Sequence, residues 1–82
     1  MERIFAEIAE HVLISRARFD GFASTHEALG VALEEWNELQ QAIQANDIEA
    51  VCNEAVDLAA VMVNLADQCR SSETFKVRSI KK

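Results

Sequence analysis

Apolar positions recur at helical spacing in three stretches of the chain, and breaks between the stretches carry turn and cap signals. Ile4, Phe5, Ile8, Val12 and Phe19 make one stripe, widened by Ala9, Leu13 and Ala17, which predicts a first helix from about Glu2 to Phe19. Asp20 and Gly21 break it. Ser24 followed three residues later by Glu27 is a capping-box pattern, so a second helix starts there and runs to about Gln44, with Leu29, Ala32, Leu33, Trp36, Leu39 and Ile43 as its apolar stripe. Asn46 with Glu49 gives a weaker cap signal for a third helix ending near Cys69 or Arg70, most of whose circumference is apolar from Val51 to Leu65. The turn between the second and third helices is short enough to force an antiparallel hairpin.

Composition narrows the class. The 82 residues contain no Pro and two Gly, and they favour Ala, Leu, Glu and Gln, so the chain reads as all-α: a helical hairpin plus an N-terminal helix. One helical domain at about 1–70 is expected, followed by a basic tail at 71–82 that is either a short helix around Glu73 to Ile80 or a segment ordered by docking. A core of this size is marginal, and the broadly apolar first helix needs more than one neighbour, so self-association is expected. The longest apolar run, Leu58 to Val63, is far too short to span a bilayer, and the N-terminus lacks a leader pattern; no membrane partner and a cytoplasmic location are expected. A net charge of −6 argues against nucleic acid as a partner. Cys52 and Cys69 have neither metal-site nor redox spacing and read as reduced thiols packed like small hydrophobes.

Charge changes the picture most. Between Phe19 and Cys69 lie ten carboxylates and not one Lys or Arg. Two unit charges about 6 Å apart at an effective dielectric of about 20 repel by about 3 kcal/mol, a sizeable share of a small domain's stability of about 5–15 kcal/mol. Something positive must come from outside the segment. On the second helix Glu34, Glu35 and Glu38 share an arc of about 100° beside the apolar stripe; on the third, Glu54 and Asp57 lie about 60° apart, and Asn64 continues their side two turns on. An antiparallel hairpin lets Glu35 and Glu38 oppose Glu54 and Asp57, four carboxylates around one cavity. Mg²⁺ suits such a site because it takes a few protein oxygens and keeps other positions for water and phosphate; Mn²⁺ is a possible substitute. A solvated acidic face would normally mix signs, with Lys or Arg four residues after Glu, and here those positions are acidic or apolar. Asp20, Asp47, Glu49 and Asp67 read as helix-end or surface charges.

A di-iron bundle would need a His three residues after a Glu, and His11 and His26 have Ile8 and Ala23 at that offset. His26 reads first as a surface residue of the second helix's opening turn and second as a group approaching a ligand. Trp36 reads as core, with base stacking as the second reading.

The double motif EEWNE, as EExxE, followed after a spacer by EAVD, as ExxD, resembles the MazG-like all-α nucleoside triphosphate pyrophosphohydrolases, over about Ser24 to Gln68. HEALGVALEEWNELQQAI is similar to the short single-domain members. The resemblance implies Glu35, Glu38, Glu54 and Asp57 as metal ligands. It makes Glu34 a further acidic group that orients a ligand or accepts a proton from the attacking water. It implies Mg²⁺-dependent hydrolysis of a nucleoside triphosphate, ribo or deoxy, to the monophosphate and pyrophosphate, with nucleotide-pool housecleaning as a purpose. It also implies a homodimer or homotetramer resembling a four-helix bundle. Arg70 and Lys76, with Arg78, Lys81 and Lys82, are the nearby candidates for phosphate contacts, and Asn64, His26 and Trp36 for the rest of the substrate. Two alternatives stand beside this reading: a non-catalytic helical module with a cation-binding acidic face, and the related phosphoribosyl-ATP pyrophosphohydrolase.

Overall fold

The computed structural model describes residues 1–71 as three helices, α1 (Glu2–Phe19), α2 (Thr25–Gln44) and α3 (Ile48–Ser71), with no strand among the described residues. The readings of the tail at 71–82 fall, beyond Ser71, outside the described residues. Each boundary has a local cause. Asp20 closes α1 in the left-handed region at φ 57°, its N–H donating to the Arg16 carbonyl, and Gly21 follows at φ 86°. Ser24 opens α2 as expected: its Oγ accepts from the Glu27 N–H at 3.1 Å, while Glu27 Oε1 accepts from the Ala23 N–H at 3.1 Å. At α3 the cap is Asp47, not Asn46. Asp47 Oδ1 accepts from the Ala50 N–H at 3.1 Å, and Asn46 takes the left-handed turn at φ 57°, a conformation Asn tolerates better than most residues.

α3 is the central element: α2 and α1 both pack on it, while α1 and α2 scarcely touch each other. The linker between α1 and α2 is pinned to the far end of α3 by the Gln68 amide, which accepts from the Phe22 N–H at 2.9 Å and donates to the Phe22 carbonyl at 2.6 Å. Glycine suits Gly21 through its positive φ, and a Cβ there would sit 2.9 Å from Gln68 Oε1, so the Gln68 amide that holds Phe22 would have to shift.

The buried apolar residues are Val12, Ala28, Ala42, Val56 and Ala60, mostly small, joined by Asn64. This corrects the expected facing of α2. Ala28, Val31, Glu35 and Ala42 turn inward, whereas Leu29, Leu33, Trp36 and Ile43 are each about half exposed or more, and Trp36 at 47% is not a core residue. Small side chains let the helices approach closely, and the large ones are left along the flank. Leu13, Phe5 and Phe19 of α1 are likewise exposed, as are the thiols of Cys52 and Cys69, which therefore do not pack as core hydrophobes.

Candidate active site

The α2·α3 pairing brings three carboxylates together: one oxygen each from Glu35, Glu38 and Glu54, all within 4.8 Å of one another. Glu35 is on the inward face of α2 and half-buried, Glu54 is half-buried on α3, and Glu38 is exposed at the rim, so the cluster meets solvent on one side. Glu35 Oε2 and Glu54 Oε2 are buried and receive no hydrogen bond. Buried charged oxygens without a donor are costly, and the response is a change in proton affinity. Burial first, then repulsion from Glu38, Asp57 and Glu54, pushes the Glu35 carboxyl up from 4.5 to about 7. Glu54 is also raised, by burial first and then by its closeness to Glu38, with Asp57 adding to it.

Asp57 adjoins the cluster but is engaged from the other side, since His11 Nδ1 of α1 lies 3.0 Å from Asp57 Oδ1. Sequence spacing gave no sign of this, because the partner is one helix and a linker away. Arg16 plays a similar part further along, its Nη2 2.7 Å from Asp67 Oδ2. Thus two of the ten acids left without a cation in their own segment find a basic partner on α1, and Asp67 is more than a bare surface charge. Glu34 is exposed and lies outside the three-carboxylate cluster.

α1 and α2 diverge over α3, and between them lies a cleft of about 860 Å³. Glu35, Asp57 and His11 line it, with Arg18, Phe22 and Asn64 among the other lining residues. Arg18 supplies the guanidinium of this wall, a basic group from α1 and not from the C-terminal segment. His26 and Trp36 are exposed and do not line the cleft. Arg70 stands about 24 Å along the α3 axis from Glu54, beyond reach of the cluster within one protomer. Lys76 lies outside the described residues.

The MazG nucleotide pyrophosphohydrolase domain model matches residues 24–81, well over half of the chain. The chain belongs to the MazG family. Both acidic motifs of this MazG domain fall inside the match, whereas α1, with His11 and Arg16, precedes it. An all-helical architecture and nucleotide pyrophosphohydrolase chemistry in general go with that membership. No curated protein and no solved structure matches the chain.

The carboxylates fit a divalent cation on their own chemistry: hard oxygen donors, two of them with a buried oxygen that meets no donor, gathered beside a cleft that Glu35 of the cluster lines.

Proposed function

We propose that this chain hydrolyses a nucleoside triphosphate, ribo or deoxy, between its α and β phosphates, releasing the monophosphate and pyrophosphate, with Mg²⁺ or Mn²⁺ as cofactor. The observation that carries the reading is the convergence of Glu35, Glu38 and Glu54, with their two unpartnered buried oxygens, inside the family match. Glu35, Glu38 and Glu54 hold the cation, and Asp57 adds the oxygen that His11 leaves free. A cation bound there supplies neutralisation of the triphosphate and a lowered pKa for coordinated water. The protein's own groups do the rest: the cleft orients the substrate, Arg18 offers positive charge to the phosphates, and Glu34 accepts a proton from the attacking water. His11 fixes the position of Asp57 from outside.

The protein acts as a homodimer or homotetramer in this reading. The flank of Leu29, Leu33, Trp36 and Ile43 supports that, because so many large apolar groups at half exposure, with so few buried ones among the described residues, need cover. Arg70 then reaches a phosphate only from a neighbouring protomer.

Incubation with a panel of nucleoside triphosphates and Mg²⁺, with product identification, tests the proposal. Pyrophosphate and one monophosphate are expected. Stepwise release of orthophosphate overturns the assigned bond; turnover of phosphoribosyl-ATP alone selects the histidine-pathway type of enzyme; no turnover of any substrate leaves the non-catalytic module.

A further inference from the structure

Asn64 is the one polar side chain in the buried core of the described residues, 3% exposed, and one of its polar atoms has an unambiguous partner. Arg16 Nε lies 2.7 Å from Asn64 Oδ1, and Arg16 Nη2 lies 3.4 Å from the Asn64 carbonyl. A guanidinium has donors and no acceptor, so the amide atom facing it must be the oxygen. The same fork is anchored by Asp67, one turn further along α3. The Asn64 amide therefore has a fixed direction, with Oδ1 toward Arg16.

Its nitrogen faces the other way. Asn64 lines the cleft and Arg16 does not, and Nδ2 donates to no acceptor among the described residues. Asn64 keeps 3% of its surface accessible and forms part of the cleft wall, so a ligand there meets an amide whose oxygen is already taken by Arg16. Seven residues separate Asn64 from Asp57, which places both on one side of α3, within about 20° and about 10 Å apart along the axis. That is the reach of a nucleoside whose phosphates lie at the acidic end.

We propose that Arg16 is a positioning residue that turns the Asn64 amide so that Nδ2 donates a hydrogen bond to an acceptor atom of the nucleoside lying in the cleft between α1 and α2. The proposal rests on the pyrophosphohydrolase reading for its ligand, and it makes the site selective for nucleosides that present an acceptor, a carbonyl oxygen or ring nitrogen, at that depth. A buried donor rejects a ligand that offers another donor because both are then left unpaired.

Asn64→Asp separates the roles. It keeps size, shape and the bond to Arg16, and replaces the donor with a carboxylate oxygen whose charge the guanidinium faces; Asn64→Leu, similar in volume and uncharged, removes the donor without adding charge and should raise KM in the same way with tripolyphosphate inhibition unchanged. KM for the best triphosphate should rise about tenfold with kcat little changed, while inhibition by inorganic tripolyphosphate, which has no nucleoside, should stay as in the wild type. Arg16→Gln, whose amide can donate or accept, lets Asn64 turn either way; it should raise KM by a smaller factor, and in the Asn64→Asp background it should add nothing. Circular dichroism checks that each variant keeps its helicity. An unchanged KM in Asn64→Asp, a parallel loss of tripolyphosphate inhibition, or additive effects of the two substitutions would each overturn the proposal. Binding of the common nucleoside monophosphates, followed by calorimetry, makes the same comparison without turnover. A wild-type chain that released no pyrophosphate would thus defeat the enzymatic reading, while equal monophosphate affinities in wild type and Asn64→Asp, or no binding to either, would defeat this one.

Discussion

Glu35 concentrates the conflict between folding and function in one side chain: its place on the inward face of α2 removes it from water, and three other carboxylates lie nearby. Its carboxyl is raised in the folded state from 4.5 to about 7, so the fold prefers it protonated. The sign follows from linkage: this group's contribution to the stability of the metal-free protein is fully present below about pH 4.5 and lost as pH rises through about 7. Thermal melts in a chelator should therefore show the metal-free protein losing stability over that window. Glu35→Gln should flatten the slope and melt higher than the wild type at pH 8. Mg²⁺ should reverse the order at pH 8, since the wild-type site binds it and an amide is a poor ligand. A monovalent salt at matched ionic strength should not reproduce that reversal. Activity divides the acids differently. Amide replacement of Glu35, Glu38 or Glu54 should abolish most pyrophosphate release, whereas Glu34→Gln, outside the cluster, should lower kcat by about a hundredfold with metal-induced stabilisation intact, as titration of the melting temperature with Mg²⁺ will show.

At the scale of elements, the helices and two of their stops were legible in the sequence because they depend on local chemistry. The stripe of α1, the Ser24–Glu27 box and the Asp20–Gly21 break act within a few residues, and α1 and α2 begin and end where that chemistry places them. Asp47 was less legible than Asn46 because either can cap, and the choice depends on which of the two takes the left-handed turn. Asp47→Ala should cost about 1 kcal/mol in chemical denaturation, and Asn46→Gly, which keeps the left-handed turn at φ 57°, should show no such loss. Facing was not legible. Hydrophobicity pointed Leu29, Leu33, Trp36 and Ile43 inward, but close packing selects small residues at the contact, so Ala28 and Ala42 won the interior. The acidic cluster was legible as far as Glu35, Glu38 and Glu54, from motif spacing on paired helices. The His11–Asp57 and Arg16–Asn64 contacts were not, since they join α1 to α3 across 46 and 48 positions and no periodicity reports them.

For the molecule as a whole, the few buried residues and the exposed α2 flank set the expectation of assembly. Light scattering should give a dimer or tetramer at micromolar concentration, and Trp36→Glu together with Leu33→Lys should shift it to a smaller species, because charge on that flank cannot be covered by an apolar partner. α1 stands apart from the rest in what holds it. Val12 is its single buried side chain, with Ile8 half-buried; the described side-chain bonds to α3 are polar, through His11 and Arg16, and the Gln68 clasp at Phe22 holds the linker that follows. Such a helix is a separate unit of opening. Its amides should exchange with deuterium well before those of α3, at a rate that climbs with added salt while α3 barely responds, since ionic strength weakens the very attractions that seat it. In that helix Arg3 nearer the start is outweighed by Glu2, Glu7 and Glu10, but the last turn, with Arg16 and Arg18, thereby behaves as a covalently attached counterion. Tethering keeps it at high local concentration, and it gives back positive charge to an acidic hairpin that carries none of its own between Phe19 and Cys69.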